Sequence, residues 1–242
     1  MKYLFAMLIY IMFLQGNASN CHSSDLPNTF KNYKEVRLKN GGNIYLSPNI
    51  SYKLEKTGGP EFFDYFLIFE LGQSEVKVQF EEGPSYDPGY IFYMSSNTDI
   101  FKGYLSANEI IIDEFGFVYS ISYTNQYFLK KAKYIIDKDG IREIKQPFYS
   151  VNRSCDTNGQ LILTTKPCSE GEVIAQLPKG TFIKVLLARD WDYLEQDKWC
   201  KGGEEISFLV ETQFGLIGWA DTKPSSVYGT GGPIPCIYYQ GD

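Results

Sequence analysis

The sequence predicts an all-β protein, and three features of composition and patterning lead to that class. Aromatic residues make up 16% of the 242-residue chain, which also contains 22 glycines. This mixture favours strands joined by tight turns over helices. Apolar and polar residues alternate in several short runs, whereas no stretch of residues 43–150 repeats apolar side chains at helical spacing over three turns. At 43% hydrophobic and 21% charged residues, the chain can build a core.

The N-terminus has the pattern of an export signal. Lys2 precedes the apolar run Tyr3–Leu14, and small residues follow at Gly16 and Ala18. One basic residue, about a dozen apolar residues and a small-x-small site are typical of a secretory signal peptide. We therefore predict a signal peptide over residues 1–18 and an exported protein, either periplasmic or extracellular.

Cys21 opens an alternative to free secretion. The residues just before it resemble a bacterial lipobox, except that Asn20 occupies the position where a small residue is usual. Lipidation of Cys21 would anchor the protein to a membrane. Without it we predict no membrane association, because no second long apolar run follows.

The other four cysteines predict disulfide bonds. Cys155, Cys168, Cys200 and Cys236 all lie in the C-terminal portion, and exported chains meet oxidising conditions. Four cysteines allow three pairings, between which the sequence does not choose. A zinc site is disfavoured because none of the four has CxxC spacing.

Residues 22–150 are predicted to form an N-terminal antiparallel β domain, either a meander or a sandwich. Asp64–Leu71 is a nearly continuous apolar run of strand length, which indicates a strand buried on both faces. In the next run Val76, Val78 and Phe80 alternate with polar residues, so they should share one face of a strand.

Two short polar segments predict hairpins in the same domain. Asp113–Gly116 and Asp137–Gly140 each separate two apolar runs and end in glycine. The second segment has part of the acidic spacing of a calcium loop, but the further ligands and the distant Glu are missing. We interpret it as a turn, and we predict neither a metal nor a cofactor.

The region after Cys155 contains strand-like runs whose apolar residues suit a small barrel. Leu161, Leu163 and Val173 are placed to face its interior, and Ile183 and Val185 alternate inward on a later strand. The runs are Gly159–Pro167, Val173–Thr181, Phe182–Leu186, Phe208–Glu211 and Gly215–Ala220.

The closing run contains two glycines that permit tight backbone geometry, and Trp219, which we expect to fill the barrel end. Taken in order, the runs from Leu161 to about Ser225 resemble a bacterial SH3 domain. The resemblance implies an SH3-like β-barrel over residues 151–225, followed by a C-terminal tail, 226–242. It also implies binding of peptidoglycan peptides or of a protein partner.

A long insert departs from that family pattern. Where a short turn is usual, Arg189–Gly203 contains two of the three tryptophans of the chain. Trp191, Tyr193 and Trp199 lie among charged residues, so we predict that they are partly exposed and bind the ligand. The alternative is that they cover the barrel end while Cys200 pins the loop.

Catalysis is disfavoured because the only histidine, His22, lies next to the predicted cleavage site. Ser-His-Asp and Cys-His mechanisms, and a His-ligated metal, would need a histidine in a fixed site. Carboxylates could still support glycoside hydrolysis. The two candidate groups are Glu81, Glu82 and Asp87, and Glu109, Asp113 and Glu114.

The sequence therefore predicts a non-catalytic, exported cell-envelope binding or adaptor protein. A net charge of −6 and a pI near 5.0 argue against nucleic acid as a partner. The expected partner is a protein or a cell-wall peptide. Two alternatives stay open: a secreted inhibitor or immunity-type protein that neutralises a partner protein, and a carbohydrate-active enzyme.

Overall fold

A computed structural model describes residues 27–38, 41–57, 64–83, 87–95, 99–123, 127–189, 200, 205–222 and 232–239. The chain divides into two compact units, of which the first ends at Tyr33 and the second begins at Lys34. In the first unit a short 3₁₀ helix, Asn28–Phe30, follows Pro27, and Phe30 packs edge-to-face on Tyr33 with ring centroids 5.1 Å apart. The predicted signal peptide (residues 1–18) and Cys21 lie outside the described residues.

Every regular element among the described residues of the second unit is a strand, so the predicted all-β class is confirmed. In chain order the strands are β1 (Lys34–Arg37), β2 (Asn43–Leu46), β3 (Tyr52–Thr57), β4 (Asp64–Leu71), β5 (Ser74–Glu82), β6 (Pro88–Ser95), β7 (Asp99–Ser106), β8 (Glu109–Ile112), β9 (Phe117–Ser122), β10 (Lys130–Asp137), β11 (Gly140–Glu143), β12 (Phe148–Asp156), β13 (Leu161–Thr164), β14 (Val173–Leu177), β15 (Phe182–Arg189), β16 (Ile206–Thr212) and β17 (Ile217–Thr222). In the part of the chain that the structure describes, no helix has the length and apolar character needed to cross a membrane.

The strands form three sheets. Sheet I has the order β1-β2-β8-β9-β10-β11, sheet II the order β3-β4-β5-β6-β7, and sheet III the order β12-β15-β16-β17-β13-β14. Sheet II is an antiparallel meander, as predicted. Sheet I contains one parallel pair, β2 with β8, which differs from the purely antiparallel prediction. The chain passes through all of sheet II between these two strands, and parallel neighbours require such a long crossover.

Sheets I and II share one hydrophobic core. Sheet I contributes Ile44 and Ile110, and sheet II contributes Val76, Val78 and Phe80 from one face of β5. The predicted alternation in β5 is therefore confirmed. In β4 three consecutive residues, Leu67, Ile68 and Phe69, are buried, which confirms a strand buried on both faces.

Both predicted hairpins are present, and aspartates organise their turns. Between β8 and β9, Asp113 Oδ1 accepts hydrogen bonds from the N–H groups of Phe115 at 3.0 Å and Phe117 at 2.9 Å. Between β10 and β11, Asp137 Oδ1 accepts one from the N–H of Asp139 at 2.9 Å, which holds the pKa of Asp137 below its usual value. Asp is frequent in turns because its short side chain can bond to nearby backbone N–H groups.

Sheet III surrounds a second core, to which Leu161, Leu163, Ile183 and Val185 contribute as predicted. The prediction that Val173 faces this core is wrong, since its side chain is 58% exposed. The pairing of β13 with β14 shifts between Leu163 and Thr164, so that Thr164 lies opposite Val173 instead of Ile174. The extra residue in β14 turns Val173 to the outer face.

β12 joins sheet III from the region of the predicted domain boundary at residue 150. It pairs with β15, with Phe148 opposite Arg189 and Asp156 opposite Phe182. The sheet accordingly has six strands, one more than the runs from which the barrel was predicted.

All four C-terminal cysteines form disulfides, as predicted, and the structure selects one pairing. Cys155 bonds to Cys236, and Cys168 bonds to Cys200. The first disulfide ties the C-terminal tail to β12, and Ile234 in the tail is buried in the sheet III core. Arg153 Nη1 donates a hydrogen bond to the carbonyl of Cys236 at 3.0 Å and reinforces that tie.

Candidate functional site

The predicted ligand-binding residues Trp191, Tyr193 and Trp199 lie outside the described residues. Two residues of the insert that contains them are described, Arg189 at its start and Cys200 near its end. β15 leads into it at Arg189, and Cys200 near its other end is buried in the disulfide with Cys168. Arg189 Nη1 also contacts Cys168 Sγ, at 2.7 Å, so the insert leaves and rejoins sheet III at one corner.

Asp221 on β17 organises this corner. Its carboxylate accepts hydrogen bonds from the N–H of Cys168 at 3.1 Å, from the hydroxyl of Ser169 at 2.7 Å and from the hydroxyl of Ser207. Cys168 and Ser169 have positive φ angles of 60° and 52°, a conformation that non-glycine residues adopt rarely and at an energetic cost. The bonds to Asp221 and Ser207 hold that turn, and the turn positions the disulfide that anchors the insert.

The outer face of sheet III carries an aromatic pair next to this corner. The rings of Phe148 and Trp219 have centroids 5.5 Å apart and an interplanar angle of 36°. β12 and β17 are separated by two strands, so the two side chains reach toward each other across the sheet. Leu187, Leu209 and Trp219 are direct neighbours in the strand register, and we call Phe148, Leu187, Leu209 and Trp219 the aromatic platform.

The platform corrects the prediction that Trp219 fills the barrel end. Trp219 alternates along β17 with Gly218 and Ala220, both of which are buried toward the core. Its ring therefore lies on the opposite face, against Phe148. Phe148 is 42% exposed, and the other three platform residues are half-buried. The platform is therefore an apolar surface that solvent can reach and whose two rings are packed against each other.

The platform and the disulfide corner are continuous. Phe148 lies opposite Arg189 on the neighbouring strand, and Ser207 lies opposite Asp221. A cation and a carboxylate thus border an apolar aromatic surface at the root of the insert. This arrangement resembles the anatomy of protein interfaces, in which aromatic anchors are surrounded by polar groups.

Sequence reasoning missed Phe148, Arg189, Ser207 and Asp221. Phe148 lies before residue 150, in the segment predicted to end the N-terminal domain. The residues around it therefore do not indicate a contact with Trp219. Two sequence features lie at this corner, although neither is specific enough to predict it. Asp221 follows the Gly-Trp-Ala segment directly, and Cys168 precedes a serine in a turn.

The alternative of a carbohydrate-active enzyme requires carboxylates in a cleft, and the structure has an open cleft of about 560 Å³. It contains three carboxylates, those of Glu70, Glu75 and Glu114. Its walls are formed by Asn49, Ile50, Ser51, Tyr52, Lys53, Ile68, Phe69, Glu70, Glu75 and Glu114.

Two of the three carboxylates of this cleft, those of Glu75 and Glu114, are engaged with neighbouring groups. Hydrogen bonds from the Ser47 hydroxyl, from its own N–H and from the Asn49 amide lower the pKa of Glu114. Glu75 forms ion pairs with Lys53 at 3.7 Å and Lys77 at 3.8 Å. Glycoside hydrolysis needs one carboxylic acid with a raised pKa, and the shift of Glu114 is in the opposite direction.

The acidic groups that the sequence singled out are only partly brought together. Asp113 and Glu114 share the β8–β9 turn, whereas Glu109 lies at the other end of β8. Glu81 and Glu82 are exposed at the end of β5, opposite the start of β6. Among the described residues, no group of three or more His, Cys, Asp or Glu side chains is placed to hold a metal ion.

Comparison of the chain with protein-family models, with curated proteins and with solved structures finds no match. The likeness of residues 161–225 to bacterial SH3 domains therefore stays a prediction from the sequence.

Proposed function

We propose that this chain is an exported, non-catalytic binding protein of the cell envelope that recognises a peptide segment on the aromatic platform of sheet III. The segment belongs either to peptidoglycan or to a partner protein. The observation that carries this proposal is the accessible Phe148–Trp219 pair beside the disulfide that anchors the insert.

The platform has the physical properties that binding requires. Aromatic rings provide a large apolar contact area with few rotatable bonds, so little side-chain entropy is lost when a ligand covers them. Phe148 and Trp219 already pack on each other, which fixes their orientation before a ligand arrives. Arg189 and Asp221 supply charges at the border that can pair with the termini or side chains of a peptide.

The insert extends this surface in our proposal. Trp191, Tyr193 and Trp199 belong to a segment whose two ends are joined to the platform corner through Cys168. We assign these three side chains to the same binding surface. Their contribution can be tested by substitution, because Trp191→Ala and Trp199→Ala leave the anchoring cysteines intact.

Export is supported by the disulfides. All four cysteines of the described chain are paired, and structural disulfides persist in oxidising compartments outside the cytosol. The signal peptide over residues 1–18 and the choice between free secretion and lipidation at Cys21 are part of the proposal.

The first test is co-sedimentation of the purified chain with insoluble peptidoglycan. Phe148→Ser should reduce the pelleted fraction at least fivefold, because it removes an accessible ring from the platform. Phe214→Ser is the matched control, since Phe214 in the β16–β17 turn of the same sheet is 87% exposed and lies outside the platform. A photo-crosslinking amino acid at position 148, compared with one at position 214, tests for a protein partner in envelope extract.

Two results would contradict the proposal. One is that neither peptidoglycan nor any single envelope protein is captured selectively through position 148. The other is that Phe148→Ser and Phe214→Ser weaken binding equally, which would indicate non-specific adsorption. Capture of one soluble protein in a tight one-to-one complex would favour the inhibitor or immunity-type alternative over wall binding.

A further inference from the structure

A second aromatic surface covers the face of sheet II that points away from its core. Phe66, Tyr93 and Phe101 form a continuous edge-to-face chain across β4, β6 and β7, with successive ring centroids 5.8 Å and 6.3 Å apart. The core-facing residues Leu67 and Phe92 lie next to them in sequence, which places the chain of rings on the opposite face. This surface is distinct from the aromatic platform of sheet III.

A β-bulge in β7 adds a fourth ring to this face. Phe92 lies opposite Gly103 and Tyr93 lies opposite Phe101, so Lys102 is an extra residue on β7. Phe101 and Tyr104 are three residues apart and would face opposite sides of a regular strand. Because of the bulge both lie on the outer face, with Tyr104 opposite Ile91.

Contacts with the β10–β11 hairpin fix the β-bulge in place. Gly103 has φ +143°, and a Cβ at that position would lie 2.6 Å from Ile141 Cγ2. The ammonium group of Lys102 donates a hydrogen bond to the carbonyl of Lys138 in the β10–β11 turn. Neighbouring structure thus holds Phe101 and Tyr104 on one face.

Tyr104 lies across the backbone of Gly89. A Cβ on Gly89 would come within 2.0 Å of Tyr104 Oη, so the ring needs a glycine beneath it. Glu81 is directly opposite Gly89 in the register. Burial, and then the charges of Glu81 and Asp87, raise the pKa of Tyr104. Two carboxylates therefore lie close to the hydroxyl end of this ring.

The charge on this face is predominantly negative. Two lysines on it are engaged with its own acids: Lys53 lies 3.7 Å from Glu75, and Lys77 lies 3.8 Å from the same carboxylate. Glu81 and Asp87 add negative charge at the Tyr104 end. Tyr104 is 47% exposed and open to solvent beside those acids, and Phe101, which is 60% exposed, lies further along the same face of β7, opposite Tyr93.

Exposed rings next to carboxylates attract cations by two mechanisms that reinforce each other. A ring face attracts a guanidinium or ammonium group through its quadrupole, and a carboxylate pairs with the same charge. The chain uses the first mechanism internally, since Lys133 Nζ lies 3.7 Å from the ring centroid of Phe117 and the guanidinium carbon of Arg153 lies 5.4 Å from that of Tyr238.

We infer that the outer face of sheet II binds an arginine- or lysine-bearing segment of a partner protein, with its cations on Phe101 and Tyr104 and paired to Glu81 and Asp87. The negative face disfavours nucleic acid and anionic lipid as occupants. This inference does not depend on the aromatic platform, because it concerns a different sheet.

Fluorescence anisotropy with a labelled nona-arginine peptide tests the inference on the full chain. The double variant Phe101→Ser/Glu81→Gln should weaken binding about tenfold, because a cation–π contact and a charge-assisted hydrogen bond are lost together. Phe115→Ser/Glu172→Gln is the matched control, with the same change in charge and the loss of a ring that is at least as exposed (74% against 60%) on another part of the chain. It should weaken binding less than twofold.

Further variants separate this surface from binding elsewhere on the chain. Tyr104→Phe should keep most of the affinity, since the ring remains, whereas Glu81→Lys should abolish binding at moderate salt. Phe148→Ser should leave nona-arginine binding unchanged, which distinguishes failure here from failure of the proposed function. Far-UV circular dichroism and the urea midpoint confirm that each variant is folded.

Three outcomes would overturn the inference. The first is that the wild-type chain binds no nona-arginine at all. The second is that the two double variants weaken binding equally, which would indicate a response to net charge alone. The third is that Phe101→Ser abolishes binding of a soluble oligosaccharide such as chitohexaose, or self-association in sedimentation equilibrium, which would assign the face to another occupant.

Discussion

The hydroxyl of Tyr90 on β6 bonds to both main-chain groups of Asn43 on β2. It accepts a hydrogen bond from the Asn43 N–H at 3.1 Å and lies 2.9 Å from the Asn43 carbonyl, with the carbonyl of Asn108 at 3.1 Å. Tyr90 is buried, and it joins sheet II to the point where the parallel strands β2 and β8 begin side by side. One side chain thus links the two sheets of the first core.

Tyr90→Phe should lower the free energy of unfolding by about 1–3 kcal/mol. The substitution keeps the ring but leaves the part-buried N–H of Asn43 without this acceptor, and an unsatisfied group shielded from water costs about that much. Urea unfolding followed by tyrosine and tryptophan fluorescence measures the change. Tyr52→Phe, at a half-exposed position on β3, is the control and should change stability by less than about 0.5 kcal/mol. Equal effects at the two positions would contradict this account.

The same tyrosine predicts how stability depends on pH in the alkaline range. Burial raises the pKa of Tyr90 far above that of an exposed tyrosine. A group with a raised folded-state pKa contributes stability that is fully present below its unfolded pKa, about 10, and is lost as the pH rises further. The difference in unfolding free energy between wild type and Tyr90→Phe should therefore shrink above pH 10, by up to about 1.4 kcal/mol per pH unit. A difference that stays constant from pH 8 to pH 11.5 would show that Tyr90 does not ionise on unfolding.

The third prediction concerns the stability cost of replacing Gly103 in the β7 bulge. Gly103→Ala should destabilise the protein more than Gly72→Ala, although both glycines have positive φ. At Gly72 a Cβ meets nothing within 4 Å, so only the backbone strain of roughly 1–2 kcal/mol applies. At Gly103 the φ of +143° lies outside the left-handed helical region that other residues can adopt, and the Cβ also meets Ile141, so we expect a further ~1–3 kcal/mol or more from strain and overpacking together.

Urea midpoints of the two alanine variants test this comparison. Binding of nona-arginine gives a second readout, because loss of the bulge would turn Phe101 away from the outer face of sheet II. If Gly72→Ala were as damaging as Gly103→Ala, contact with Ile141 would not be what requires glycine.

The sequence was sufficient for features that depend on near neighbours. Alternation placed Val76, Val78 and Phe80 on one face of β5, and the two Asp-to-Gly segments gave hairpin turns in the right places. In each instance the residues that decide the structure lie within a few positions of one another. The prediction for Val173 was wrong for a local reason. An extra residue in β14 interrupts the alternation of inward-facing and outward-facing side chains, and the residue types in β14 do not indicate that interruption.

Features that depend on distant partners were beyond sequence reasoning. Nothing near Asn43 indicates that β2 pairs in parallel with β8, because that choice depends on how sheet II folds between them. The aromatic platform likewise depends on β12 joining sheet III, which brings Phe148 to Trp219. The disulfides had three equivalent pairings until the strand order fixed which cysteines meet.

We expect the two disulfides to differ in their effects: removing one should mainly lower stability, and removing the other should mainly lower ligand binding. Cys155 and Cys236 close a loop with a sequence separation of 81, against 32 for Cys168 and Cys200. In the chain-entropy model the longer loop contributes about 4.5 kcal/mol and the shorter about 3.7 kcal/mol. The double variant Cys155→Ser/Cys236→Ser should therefore lose somewhat more stability in urea unfolding. It also releases a tail whose Ile234 is buried in the core, which adds to the loss.

Removal of the other disulfide should have the larger effect on ligand capture. Cys168→Ser/Cys200→Ser frees the insert from the corner organised by Asp221, while the platform residues Phe148 and Trp219 stay on their strands. Peptidoglycan co-sedimentation, or crosslinking through position 148, should fall at least threefold in this variant, and should fall less in Cys155→Ser/Cys236→Ser once both are measured below their unfolding temperatures. If the order were reversed, the tail rather than the insert would border the binding surface.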